Sequence, residues 1–158
     1  MTIDEATTLE QLATEVRRLV DRQEIADVLY RYASSVDYKD FPTLRSLFTD
    51  DAHGVYTTVA DLRGADEIVK WIDEMTVTKT WQHHKINVYH IDFTGPDEVT
   101  TLTYHTSHQT DEGDPGAVQL IVARYRDTLR RTPDGWKIVE KIMEPGWAER
   151  RTPEIAPH

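Results

Sequence analysis

Trp81-Gln82-His83-His84-Lys85-Ile86-Asn87-Val88-Tyr89-His90-Ile91-Asp92-Phe93 reads as one long strand, with no glycine or proline to interrupt it. Thr94-Gly95-Pro96-Asp97 then makes a turn, and Val99 to Thr110, rich in Thr, Tyr and Val, makes a second strand beside the first. Further on, Asp111-Glu112-Gly113-Asp114-Pro115-Gly116 is a wider loop. Ala117 to Arg131 and Trp136 to Met143 form another antiparallel hairpin through Thr132-Pro133-Asp134-Gly135. The second half of the chain is therefore a meander of four strands.

Upstream the period changes to that of helices. Thr7-x-x-Glu10 fits a capping box, and Leu9, Leu12, Val16 and Leu19 follow at helical spacing. Asp21-Arg22-Gln23-Glu24 either caps a second helix or continues the first, and Ile25, Val28, Leu29, Tyr32 and Val36 form one apolar stripe. A third, short helix starts from Asp40 with Pro42 in its first turn, turns Leu44, Leu47 and Phe48 inward, and ends at Thr49-Asp50-Asp51. Ala52 to Thr58 reads as a strand and Asp66 to Met75 as a helix. Helices segregated from a largely antiparallel sheet give an α+β fold, and a strongly bent sheet wrapped over helices leaves a conical pocket suited to a small molecule.

The 158 residues suit a single domain, expected over 1–148, with 149–158 as a loose C-terminal tail. Eighteen Lys plus Arg against 28 Asp plus Glu give a net charge of −10, which argues against nucleic acid or an anionic membrane as partner. The absence of cysteine excludes disulfides, Cys-ligated zinc and a thiol nucleophile. The start, Met1-Thr2-Ile3-Asp4-Glu5, is not that of a signal peptide, and no apolar run reaches membrane-spanning length, so a cytoplasmic protein is expected. A serine nucleophile elbow, a phosphate-cradling glycine loop and a dinucleotide fingerprint are all missing, so no cofactor is expected. Histidine is the peculiarity: five of the seven fall between positions 83 and 108. His105 and His108 are three apart on a strand and point to opposite faces, so they are not expected to chelate one metal, and no metal-ligand spacing appears elsewhere.

Several strings in order resemble the NTF2-like superfamily and its SnoaL-like branch, which includes polyketide cyclases, scytalone dehydratase, bile-acid dehydratases and hexachlorocyclohexane dehydrochlorinase. They are Arg22-Gln23-Glu24-Ile25-Ala26-Asp27-Val28-Leu29-Tyr30-Arg31-Tyr32, Val36-Asp37-Tyr38-Lys39-Asp40, Leu47-Phe48-Thr49-Asp50-Asp51-Ala52, the His83-x-x-x-Asn87 string, and Asp134-Gly135-Trp136-Lys137-Ile138. The resemblance covers about Leu19 to Met143. It implies a cone-shaped sheet around N-terminal helices, and an Asp-His dyad that removes a proton while water, halide or formaldehyde departs. A lyase or dehydratase acting on a small cyclic or aromatic hydroxylated compound is the leading expectation. An isomerase or cyclase working by enolisation, and a non-catalytic ligand-binding or dimerising module, are the alternatives. It also implies a homo-oligomer, trimer or dimer, formed through the outer sheet face.

Asp37 stands at a helix C-terminus, where the macrodipole disfavours a carboxylate, so it is either a solvated helix-end residue or an acid held there for a histidine. The resemblance places the dyad acid at this position. His83 and His84 point to opposite faces of their strand; His84 shares parity with Ile86 and Val88, and His83 with Lys85, Asn87 and Tyr89. Alternation leaves the choice open, and the family string selects His83 with Asn87, keeping His84 as the substitute. Tyr32, five residues before Asp37, is either a core anchor or a pocket phenol, and Tyr30 could reach the pocket rim. Lys141 reads by itself as a surface lysine on an edge strand, whereas the resemblance places there a basic residue, often Arg, that holds a leaving group. His105 shares parity with Thr101, Thr103 and Ser107 and is the choice for a second catalytic imidazole. Of the aromatics, Tyr56, Trp71 and Tyr125 are expected among the substrate-binding residues.

Overall fold

The computed structural model describes residues 8–154. Helix α1 (Leu9–Asp37) is one unbroken rod, because no Gly or Pro lies anywhere along it to stop it at Asp21. Its capping box uses Thr8 and Gln11; the expected Thr7 lies outside the described residues. The apolar residues of its first half do not pack: Leu9, Val16 and Leu19 are exposed, and burial begins at Ile25 and continues through Leu29, Tyr32 and Val36. Helix α2 (Phe41–Ser46) is capped by Asp40, whose side chain accepts from the Thr43 amide. The chain then extends into β1 (Phe48–Tyr56), so Phe48 begins a strand rather than ending a helix, and β2 (Ala60–Arg63) folds back on it. The turn of that hairpin, Thr57-Thr58-Val59, carries no glycine or asparagine; Thr57 supplies the left-handed conformation, at φ 61°, which is why composition did not signal it.

Helix α3 (Ala65–Thr76) leads to β3 (Lys79–Phe93), β4 (Glu98–Asp111), β5 (Asp114–Thr132) and β6 (Gly135–Arg151). The six strands form one curved, unclosed sheet in the order β2-β1-β6-β5-β4-β3. All neighbours are antiparallel except β1 and β6, which run parallel. Strand β6 is therefore interior, and it runs to Arg151, paired with Val118, into the stretch expected to be a tail.

The core lies between the concave face of the sheet and the second half of α1, where Ile25, Leu29 and Val36 meet Phe48, Leu129 and Ile138. Two polar ties fix the helix on the sheet. Arg131 meets Asp21 at 2.7 Å, which holds the Asp21 carboxyl below its ordinary range, and Arg22 donates to the Ile91 carbonyl at 2.8 Å. Among the described residues no helix is long and apolar enough to cross a membrane.

Candidate functional site

The last residue of α1, Asp37, points its carboxylate at β3. The amide N–H of His84 donates to both carboxylate oxygens, at 3.1 and 3.0 Å, and His84 Nδ1 lies 2.5 Å from Oδ1. These contacts offset the repulsion between a carboxylate and the carbonyl end of a helix. Because an ionised carboxylate only accepts, Nδ1 carries the hydrogen in this contact, and Nε2 is the ring nitrogen not engaged by Asp37. The two side chains are only 9% and 15% exposed, so the pair is shielded yet reachable. A groove of about 510 Å³ opens beside it, lined by Asp37, Lys79, Trp81 and Gln82 among others.

The dyad histidine is thus His84 and not His83. Strand alternation puts His83 on the convex face, exposed, where it stacks on His108 with ring centres 6.0 Å apart and an interplanar angle of 21°. Asn87 shares that parity and is exposed with it; His83 borders the outer groove beside Asp37, but neither residue of the His83-x-x-x-Asn87 string joins the inward cluster around His84. Tyr30 is likewise on the exposed side of α1.

On β4, His105 faces inward and is buried, its ring 5.0 Å from that of His84 and 5.1 Å from that of Tyr125. Neither ring nitrogen has a partner within the protein. Burial drives its pKa down to about 3, with the nearby His84 and Lys141 adding to the effect and Asp37 opposing it, so the ring stays neutral at ordinary pH.

Lys141 is not a surface residue. The parallel pairing of β1 places it on an interior strand, 1% exposed, with Nζ 3.1 and 3.2 Å from the two carboxylate oxygens of Asp127. The same Nζ lies 4.1 Å from the centre of the Tyr32 ring and 3.9 Å from that of Tyr125. Burial pushes the Lys141 ammonium below and the Asp127 carboxyl above their ordinary values, while their mutual attraction opposes both shifts.

The Tyr32 hydroxyl shares a hydrogen bond with that of Tyr56 at 3.1 Å, and Tyr56 stacks on Trp71 at 4.8 Å. Burial raises the phenol pKa of Tyr32, Tyr56 and Tyr125 well above the ordinary value, so all three stay protonated. Strand register arranges the wall in rungs: His84 beside Ser107, Ile86 beside His105 and Ala123, Val88 beside Thr103, Tyr125 and Met143, then Thr101 beside Asp127 and Lys141.

The structure therefore brings Asp37, His84, His105 and Tyr125 together on the inward face of the sheet, and packs Tyr32, Tyr56, Tyr125 and Lys141 into a buried cluster next to them. It leaves Asn87 outside and His83 only at the rim, along the groove beside Asp37. Sequence reasoning missed Asp127. An acid at the inward parity between Tyr125 and Leu129 could have been noticed, since a buried carboxylate demands a cation.

A SnoaL-like domain model matches residues 17–141. The chain belongs to the SnoaL-like family. Within that family, it is 26% identical over 135 residues, 85% of this chain and 91% of the other, to an uncharacterized protein of Mycobacterium tuberculosis. Among solved structures, a type 2 hexachlorocyclohexane dehydrochlorinase superposes with a TM-score of 0.82 at 18% identity, covering 90% of this chain and 97% of that one. A candidate scytalone dehydratase from Novosphingobium aromaticivorans gives 0.78 at 18% identity, covering 88% and 93%. An NTF2-like protein from the same organism gives 0.72 at 23% identity, covering 89% and 91%. At such identities the superpositions establish the NTF2-like fold of this SnoaL-like chain.

Proposed function

We propose that this SnoaL-like protein is a lyase of the dehydratase type that works without a cofactor on a small cyclic or aromatic hydroxylated compound. The observation that carries the reading is the Asp37–His84 pair, a carboxylate spending three hydrogen bonds to fix one imidazole with Nε2 free. In this scheme Nε2 takes a proton from a substrate carbon, and the released electron pair forms a double bond as the adjacent carbon–oxygen bond breaks. The departing hydroxide receives a proton from an un-ionised donor, for which the Tyr32 phenol is suited, and leaves as water. Lys141, held between two phenol faces and balanced by Asp127, orients the Tyr32 and Tyr125 rings beneath the site. The fold resemblance to a dehydrochlorinase and a candidate dehydratase supports an elimination.

Isomerisation by enolisation is a second reading, favoured by one observation: His105 is neutral and has both ring nitrogens unpartnered, so it can donate to a carbonyl oxygen. Product mass separates the two, since elimination removes water and isomerisation leaves the mass unchanged. We also propose a homo-oligomer, supported by the aromatic side chains exposed on the convex face.

The test of the dyad is kinetic. Purified protein is screened against hydroxylated cyclic compounds, and turnover is compared in His84→Ala, Asp37→Asn and His83→Ala. The first two should each lose on the order of 10² to 10⁴ in kcat, and the third should keep wild-type turnover. Full activity in His84→Ala ends the proposal.

A further inference from the structure

Four successive inward positions of β4 carry polar side chains, Thr101, Thr103, His105 and Ser107, and each is at least nine-tenths buried. A strand face packed against a core ordinarily repeats apolar residues, so this row is a departure from the pattern. Its polar atoms are also unpaired. Among the described residues eight buried side-chain nitrogen or oxygen atoms find no partner, and five of them belong to these four residues: the three hydroxyls and both nitrogens of His105. Elsewhere Lys141 is matched by Asp127, Thr76 by the Ile72 carbonyl, and the Gln82 amide nitrogen by the Val36 carbonyl, and the other three unpaired atoms are scattered over Thr49, Gln82 and His108. Unmade hydrogen bonds concentrated on one strand face are a cost that a bound polar ligand removes.

Register places this row within the candidate site. Ser107 lies directly beside His84, and Thr103 sits between Val88 and Tyr125. Beside His105 stands Ala123, the smallest side chain of the row's neighbours on β5. At a strand rise of about 3.4 Å per residue, Thr103 and Ser107 stand roughly 13 Å apart with His105 midway. At that spacing an oxygenated ring beside His105 would meet the hydroxyl of Thr103 or that of Ser107, one at a time.

We propose that Thr103 and Ser107 are specificity-determining residues of this pocket, selecting a ring that carries oxygen substituents and rejecting an apolar or halogenated ring of the same shape. The inference rests on the reading of the site as the substrate pocket. It adds the chemistry that a substrate must present. The selection follows from what an apolar ring would do: it would seal the hydroxyls away from water with nothing to bond them, whereas ring oxygens satisfy them. Sites built this way discriminate far more strongly than apolar pockets do.

The test uses resorcinol and m-xylene, which share a shape and differ in carrying hydroxyls or methyls, titrated against the whole protein by ligand-observed NMR. Wild type should bind resorcinol at least about tenfold more tightly than m-xylene, and the Thr103→Val/Ser107→Ala variant should bring the two to within about threefold. The variant's Tm should equal or exceed that of wild type, because it removes hydroxyls that the folded chain leaves unpaired. Equal or tighter binding of m-xylene by wild type overturns the proposal. So do an unchanged ratio in the variant, a lowered Tm that marks the hydroxyls as structural, or no binding of resorcinol at all. Neither probe needs to react, so a failed ratio beside a dyad that still governs turnover sinks the specificity residues alone. A preserved ratio with an inert dyad sinks only the proposed chemistry.

Discussion

His105 shows how depth can dominate the charge of a side chain. In the unfolded chain its imidazole takes a proton near pH 6.5, but in the folded protein it does so only near 3, chiefly because burial penalises the charged ring. Below pH 6.5 the unfolded state thus binds more protons than the native one, and stability falls as pH drops from 6.5 towards 3. Between pH 6.5 and 5 this one group should cost about 2 kcal/mol. Urea unfolding at the two pH values should show that loss in wild type and a smaller one in His105→Phe; equal slopes would refute the assignment. Lys141 is bound by the opposite logic. Lys141→Met leaves the Asp127 carboxylate buried and alone, and should cost about 3–5 kcal/mol, most of it recovered when Asp127→Leu is added. Urea midpoints of the single and double variants decide this. At this scale the sequence was readable where a residue's neighbours are local. Asp37 could be singled out because a carboxylate at a helix end is anomalous in itself. His84 could not be separated from His83, because their faces depend on which side of β3 meets α1. The setting of Lys141 depends on β1 inserting beside β6 from ninety residues away.

Secondary structure was more legible than the site because it is written in local periods. The β3–β4 and β5–β6 hairpins carry their turn residues in Thr94-Gly95-Pro96-Asp97 and Thr132-Pro133-Asp134-Gly135, and both form with every end but the C-terminus of β6 within a few residues of expectation. β2 escaped notice because four residues show too little alternation and its turn rests on a threonine with positive φ. β6 extends past Met143 because Pro145-Gly146, which looks like a strand end, is a bulge instead. Ala123 faces Pro145 and Val122 faces Trp147, leaving Gly146 as the extra residue. A Cβ at Gly146 would stand 2.7 Å from the Val122 carbonyl oxygen, and a backbone atom cannot swing aside. Gly146→Ala should therefore lower stability by about 1–3 kcal/mol in urea unfolding. An unchanged midpoint would mean that the bulge needs no close approach of β5 and β6.

At the scale of the molecule, a single sheet divides its side chains between two environments, and the division explains why five clustered histidines do different things. Inward imidazoles meet Asp37 and a phenol-lined wall. Outward ones join Trp81, Tyr89, Tyr104 and Trp147, each at least 41% exposed, with Tyr89 and Tyr104 in ring contact at 4.5 Å. On a chain with a net charge of −10, repulsion between copies would be expected to dominate. The convex face offsets it locally, since Arg124 and Arg126 flank Glu144 there and neutralise its charge beside the aromatic group. Apolar area of this kind, rimmed by paired charges, is the composition of an interface between subunits. Size-exclusion chromatography with light scattering should therefore give a mass that is a multiple of 18.3 kDa. Tyr89→Glu/Tyr104→Glu would bury like charges face to face in any such contact, and should return the mass to that of one chain while circular dichroism stays unchanged. A wild-type mass of one chain would remove the convex face as an interface. A variant that stays associated would move the contact elsewhere, towards the exposed apolar residues Leu9, Val16 and Leu19 of α1, another apolar surface that the fold leaves uncovered.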